Sequence, residues 1–153
     1  ALNRALVVQI QAALKAVGIA VRVRAQLSSV IFGGYQAGGT LTTGHYQLSI
    51  YQWYAGIDPD DSSQFTCANR PPNGYNQSYY CSPAMDAAQA KALSSYEVAV
   101  RKPAYATIES LLVRDAPVDF LWWPRNIQVL NPDLHGFDPN PVVETWDIAT
   151  WSI

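Results

Sequence analysis

Apolar positions near the start of the chain follow a helical period and then a β-strand period. The helical period runs through Leu6, Ile10, Leu14 and Val17. Gly18 follows at the place of a C-cap glycine, so the pattern predicts a helix that ends there. Residues 19–25, IAVRVRA, then alternate between apolar side chains and arginines. This alternation is typical of a strand with one solvent-facing side.

A second alternating segment, HYQLSIYQW at residues 45–53, predicts another strand. Between the two predicted strands, residues 27–34 are compatible with a short helix. The glycine-rich stretch at 33–44 has no lysine in the register of a phosphate-binding loop, so it predicts a flexible loop instead.

Two helices are predicted in the second half of the chain. Ser82 is a good N-cap and Pro83 a good first residue for a helix that ends near Leu93. A second helix is predicted over residues 101–114. Pro103 is compatible with it because the proline falls in the first turn, where its missing N–H has no partner to lose.

Two further strands are predicted at residues 118–123, VDFLWW, and 126–130, NIQVL. The order of helices and strands predicts an α/β fold with a mixed sheet flanked by helices. Residues 142–153 contain apolar side chains without a clear period. We expect this tail to pack on another surface.

Composition limits the classes of function. The chain has 153 residues, a net charge of −2 and only 14% charged residues. Nucleic acid is not an expected partner, since neutralising phosphates requires a basic face. No apolar run reaches the roughly 20 residues of a membrane span. No signal peptide is expected either, because the first residues already have the pattern of an amphipathic helix.

The chain has two cysteines, Cys67 and Cys81. Their spacing excludes a CxxC metal or redox pair, and only His45 and His135 could supply further soft ligands. Two buried free thiols remain possible, as does a disulfide that closes the polar loop between them. The disulfide is favoured because this loop has little apolar surface to stabilise it. Such a bond would indicate an oxidising compartment.

No catalytic or metal-binding pattern stands out, and no cofactor is predicted. The acids of residues 58–61 have Pro59 in place of a glycine turn and lack the donor pattern of a calcium loop, so turn and helix-cap acids are expected. A serine hydrolase would require His45 or His135 near an elbow serine, and the sequence has no GxSxG motif. We therefore expect a binding protein, with a small secreted hydrolase as the weakest hypothesis.

Aromatic residues offer a stronger signal. The chain has nine tyrosines and five tryptophans, which are amphipathic side chains suited to ligand contact. Trp53 and Tyr54 end the predicted strand at 45–53, and the carboxyl ends of strands are where open α/β sheets bind ligands.

The order of several motifs resembles the C-terminal part of extracytoplasmic solute-binding proteins of peptide/nickel-type ABC importers (family 5). Four stretches have this resemblance: QIQAALKAVGIAVRVRA, YQWYAGIDPDDSSQF, YYCSPAMDA and RKPAYATIESLLVRDAPVDFLWWPRNIQVLNPDLHGF. Together they cover nearly the whole chain without a change of order.

This resemblance implies a lobe of the periplasmic-binding-protein type II-like fold. Residues 1–141 would form the C-terminal ligand-binding lobe, and residues 142–153 would cross back to an N-terminal lobe absent from this chain. The whole protein would be periplasmic or extracellular and lipid-anchored. It would capture a small-molecule or peptide ligand and dock on a membrane permease. A sensor or regulatory domain of the same fold is the alternative.

The resemblance also implies a site. The family's cleft-lining tryptophan corresponds to Trp53, and Tyr54, Ala55 and Gly56 follow it. Peptide binders of the family have an aspartate at the place of Gly56, and the nearest acid here is Asp58. A glycine cannot pair with a peptide's amino terminus, so a sugar or another neutral solute fits at least as well as a peptide.

Overall fold

The computed structural model describes residues 2–54, 56–123, 125, 127–140 and 142–153. The α-helices within these ranges are α1 (Leu2–Ala16), α2 (Ser28–Ile31), α3 (Thr40–Thr43), α4 (Ser62–Phe65), α5 (Pro83–Leu93) and α6 (Val98–Asp115). Single 3-10 turns lie at Tyr35–Ala37, Cys67–Asn69 and Ile148–Thr150. Helix α2 lies within residues 27–34, where the sequence is compatible with a short helix. Helix α3 and the turn at Tyr35–Ala37 lie within residues 33–44, the stretch predicted to be a flexible loop.

The predicted α/β fold is wrong for the part of the chain that the structure describes. None of its residues lies in a strand, and β pairing is confined to one antiparallel bridge between His135 and Ser152. The mixed sheet of a periplasmic-binding-protein type II-like lobe is therefore not formed. Alternation determines which side of a strand would be buried, but the hydrogen bonds of a strand come from a neighbouring strand. The alternating segments have no such neighbour among the described residues.

The chain divides into two compact units. The first comprises Ala1–Tyr54 with Asp60–Pro117, and the second comprises Ala55–Pro59 with Val118–Ile153. The separate roles expected for residues 1–141 and 142–153 stay a prediction.

Helix α1 ends where the apolar period indicates. Gly18 has a φ of 85°, in the left-handed region that favours glycine. Its amide donates to the carbonyl of Lys15 at 3.0 Å, and the amide of Ile19 donates to that of Leu14 at 2.9 Å. These two bonds form a Schellman cap, which satisfies carbonyls that the end of the helix leaves without partners.

The core of the first unit is the hairpin of α5 and α6, which contact each other along their length. The predicted N-cap of α5 is confirmed, because the Ser82 hydroxyl accepts from the Met85 amide at 3.4 Å and Pro83 is the first helical residue. The buried apolar residues of the two helices are Met85, Ala88, Ala92, Ala104, Ile108 and Leu111. The small alanines allow a close approach of the two backbones, and Met85 and Ile108 are the largest fully buried apolar side chains of the hairpin.

Helix α6 begins three residues earlier than the sequence pattern predicts. Pro103 therefore lies inside the helix rather than in its first turn. Since proline has no N–H, it cannot donate to the carbonyl four residues before it. The buried positions Ala104 and Ile108 follow directly, so packing against α5 compensates for the missing bond.

The second unit is organised around Asp147. This nearly buried carboxylate accepts from the Asp138 amide at 2.9 Å and from the Trp151 indole N–H at 3.0 Å. The Trp151 ring lies 5.1 Å from the ring of Phe137, measured between centroids. The tail that was expected to pack on another surface thus packs on the segment just before it.

Candidate functional site

The predicted disulfide between Cys67 and Cys81 is confirmed, with a Cα–Cα distance of 4.5 Å. It closes the segment at 67–81, here named the disulfide loop. The Cys67 amide donates to the Asp86 carboxylate at 2.9 Å, so one end of the loop is bonded to α5. The loop is therefore fixed to the helical hairpin that forms the core.

Asn76 holds the two ends of the disulfide loop together from inside. Its side chain is fully buried. Its Nδ2 donates to the carbonyl oxygens of Thr66, at 2.9 Å, and Tyr80, at 2.7 Å. Its Oδ1 accepts from the Ser78 hydroxyl at 3.0 Å. The amide thus links the residues next to both cysteines, and its own donors and acceptor are satisfied, as a buried amide requires.

A tight turn before Asn76 exposes Tyr75. The Asn76 amide donates to the Asn69 carbonyl at 2.9 Å, which folds the loop back on itself. A Cβ at Gly74 would lie 2.6 Å from that carbonyl oxygen, so glycine is required at this close approach. The Tyr75 side chain remains 60% exposed.

Tyr75 lies against Trp53, and these two residues are here named the aromatic pair. Their ring centroids are 5.8 Å apart, and the ring planes are tilted by 57°. Trp53 is 41% exposed, so both rings offer surface to solvent. The tilted arrangement is one that aromatic rings favour, and it stabilises the pair by about 0.5–1.5 kcal/mol beyond the area it buries.

The remaining predicted site residues are placed as follows. Tyr54 is 79% exposed and belongs to the first unit, with Trp53. Gly56 and Asp58 are exposed and belong to the second unit. Ala55 lies outside the described residues. The aromatic part of the predicted site is thus defined within the first unit alone.

Sequence reasoning missed Tyr75. It selected Trp53 from its place at the end of an alternating segment, whereas Tyr75 lies in a turn-rich loop with no period. The available signal was the Gly-Tyr step inside a segment closed by two cysteines, since a closed loop can hold an aromatic side chain in a fixed position.

The half-buried phenols of Tyr46 and Tyr51 have a structural role. The Tyr46 hydroxyl donates to the Gln77 carbonyl of the disulfide loop. Burial, together with the nearby Tyr51 and Tyr79, raises the pKa of Tyr46 to about 12. Burial also raises the pKa of Tyr51, whose ring meets Phe32 edge-on at 6.0 Å. These phenols are protonated at neutral pH and act as hydrogen-bond donors and packing groups.

Asp60 and Asp61, which follow the predicted site, form hydrogen bonds at the start of α4. Asp60 accepts from the Ser62 amide at 2.9 Å. Asp61 accepts from the Gln89 side chain of α5, and burial raises the pKa of the Asp61 carboxyl. These contacts join α4 to the helical hairpin.

Both histidines lie at exposed positions. His45 is exposed, and His135 uses its backbone in the bridge to Ser152. Within the described ranges, no three or more His, Cys, Asp or Glu side chains gather closely enough to hold a metal ion.

No helix in the described ranges combines the length and the apolar character needed to cross a membrane.

Comparison of the chain with known proteins returned no relative. No protein-family model, no characterised protein and no solved structure matches it significantly.

Proposed function

We propose that this chain is the solute-binding part of an ABC import system and that it captures a small neutral solute on the aromatic pair. The observation that carries the proposal is the exposed Trp53–Tyr75 pair, held against the helical core by a disulfide-closed loop. The ordered resemblance to peptide/nickel-type solute-binding proteins supplies the transport role. The proposal does not rest on their sheet, which the described residues do not form.

The geometry of the pair favours a ligand with flat apolar faces and polar edges. Tyr and Trp combine a large apolar ring with one hydrogen-bonding group, and both rings here are partly open to solvent. The pair contains no charged side chain. A sugar, with C–H faces and hydroxyl edges, matches this surface better than a charged peptide terminus does.

Preorganisation supports binding at this place. Asn76 and the Cys67–Cys81 bond fix the backbone on both sides of Tyr75. A ligand that meets an already ordered ring does not lose the conformational entropy of ordering it, which amounts to about 0.5–1.5 kcal/mol for each side chain that must be immobilised.

The disulfide also supports a location outside the cytoplasm. Disulfides of this kind persist in the periplasm and at the cell exterior, where solutes are captured for import. We propose a membrane permease as the protein partner on the same ground as the transport role.

Titration of tryptophan fluorescence tests the proposal directly. Cellobiose and maltose are the sugar probes, and trialanine is the peptide probe. We expect at least one sugar to bind saturably, and Trp53→Ala and Tyr75→Ala each to weaken its binding by about tenfold or more. Unchanged affinity in both variants, with a fold that circular dichroism shows to be intact, would overturn the proposal.

Matched control variants separate the site from general effects of losing an aromatic ring. Trp123 is 75% exposed and Tyr96 is 93% exposed, and neither belongs to the aromatic pair. Trp123→Ala and Tyr96→Ala should leave sugar affinity unchanged. An equal loss of affinity in these controls would show that the sugar binds elsewhere.

A further inference from the structure

An open cavity, here named the loop cavity, lies on the disulfide loop and does not include the aromatic pair. Its volume is about 350 Å³. The residues that line it are Cys67, Ala68, Arg70, Pro71, Asn73 and Tyr79. Neither Trp53 nor Tyr75 is among them. All six lining residues belong to the first unit, and one of them, Cys67, is a partner in the disulfide.

The lining of this cavity has one charged side chain, and its charge is positive. Arg70 is the one charged side chain among the six lining residues, so no carboxylate in the wall neutralises it. Its Nε donates to the Cys67 carbonyl at 3.1 Å, which fixes the direction of the guanidinium beside the disulfide. That bond uses one of the five N–H donors of the group, and the others belong to its two terminal amino groups. The Asn73 side-chain amide adds a neutral polar group to the same wall.

The aromatic ring of Tyr79 adds an apolar group to the lining of the cavity. Its hydroxyl donates to the Thr42 carbonyl at 2.7 Å, so the ring is held at its far end. A Cβ at Gly44 would lie 3.2 Å from this ring, and the absence of a side chain at Gly44 leaves room for it. With Pro71 and Ala68, Tyr79 supplies the apolar part of a lining that is mostly polar.

We propose that this cavity binds the carboxylate of a small planar acid, with the carboxylate on Arg70 and the apolar body against Tyr79. A guanidinium fork matches a carboxylate through two parallel N–H···O bonds. The single positive charge balances a monoanion. A phosphate dianion would call for a second cation, and the lining contains none. This site does not depend on the function proposed for the aromatic pair.

Calorimetric titration of the oxidised protein with benzoate tests the proposal. We expect one saturable site per chain. Benzamide, which has the same shape without the charge, should bind about tenfold more weakly or worse, and Arg70→Gln should weaken benzoate by about 10- to 100-fold. Arg22→Gln, at another exposed arginine of the same unit, should leave benzoate binding unchanged.

Further variants keep the test decisive. Arg70→Lys retains the charge without the fork and should give an affinity between those of the wild type and Arg70→Gln. Tyr79→Phe keeps the ring but removes its bond to Thr42, and should weaken benzoate less than Tyr79→Ala does. If Arg70→Gln does not fold, the benzoate affinities of Arg70→Lys and Tyr79→Ala are compared with that of the wild type. Both variants should bind benzoate more weakly, and unchanged affinity in both would overturn the proposal.

Four results would overturn the proposal. They are the absence of saturable benzoate binding, equal binding of benzamide, inorganic phosphate binding as tight as benzoate, and benzoate affinity that Arg70→Gln leaves unchanged. Loss of benzoate binding in Trp53→Ala alone would place the acid on the aromatic pair and would likewise refute this site. Failure of the sugar titration described above would leave the benzoate result unaffected, so the two proposals can fail separately.

Discussion

Replacing Asn76 by alanine should be among the most destabilising single changes in the disulfide loop. The Asn76 amide is fully buried and donates to the carbonyl oxygens of Thr66 and Tyr80. Alanine would leave both partly buried acceptors without these donors. The Thr66 carbonyl keeps a bond from the Asn69 amide at 3.2 Å, whereas the Tyr80 carbonyl loses the donor named here. Since an unpaired buried polar group costs about 1–3 kcal/mol, we expect a loss of about 2 kcal/mol in the free energy of unfolding. That is a large fraction of the roughly 5–15 kcal/mol of a typical domain.

Urea denaturation under oxidising conditions, followed by circular dichroism, measures this loss. Asn73→Ala is the matched control, since Asn73 lies in the same loop with an exposed side chain. The control should change the free energy of unfolding by no more than about 0.5 kcal/mol. Asn76→Asp adds a second comparison because it keeps the size of the side chain but removes both N–H donors.

The reasoning predicts that Asn76→Asp is destabilised nearly as much as Asn76→Ala. A loss below about 1 kcal/mol in both variants would contradict the assigned role of these hydrogen bonds. An aspartate variant as stable as the wild type would show that shape, rather than donation to the two carbonyls, stabilises the loop. Tryptophan fluorescence should also change in Asn76→Ala, since the loop positions Tyr75 against Trp53.

Three further predictions concern the loop, the predicted site and pH. Replacing Cys67 and Cys81 by serine should lower the free energy of unfolding by about 3 kcal/mol, the loss expected for a closed loop of about 15 residues, and urea denaturation checks it against the oxidised wild type. Gly56→Asp should leave the melting temperature unchanged, because a Cβ at Gly56 meets nothing closer than the Asp58 carbonyl oxygen at 3.7 Å. The same variant should improve trialanine binding in the fluorescence titration, and no gain would contradict the role inferred for that position. Burial raises the pKa of Tyr46 to about 12, so its contribution to stability is complete below pH 10 and is lost as the pH rises from 10 to 12. Urea midpoints of the wild type and Tyr46→Phe should converge over that range, and a constant difference would argue against it.

Features governed by neighbouring residues could be predicted from the sequence. The end of α1 at Gly18 and the start of α5 at Ser82 depend on residues within one turn of the helix, and both are confirmed. The disulfide was also predicted, because the polar loop between Cys67 and Cys81 has few other means of stabilisation. Local chemistry alone determines each of these features.

Features that depend on distant partners could not be predicted in the same way. Residues 19–25 and 45–53 alternate as strands do, but a strand also needs a neighbour at hydrogen-bonding distance, and a single sequence does not name it. The same limit applies to the site. Trp53 was selected from its own surroundings, whereas Tyr75 becomes part of the site only because the loop folds back at Gly74.

One closed loop supplies part of both proposed sites. Tyr75 belongs to the aromatic pair, Arg70 lines the loop cavity, and both lie between Cys67 and Cys81. Asn76 joins the ends of this loop, so loosening it releases both side chains together. Reduction of the disulfide should therefore weaken sugar and benzoate binding in parallel, although the two ligands contact different residues. If reduction weakened the binding of only one of the two ligands, the loop would position only the site of that ligand.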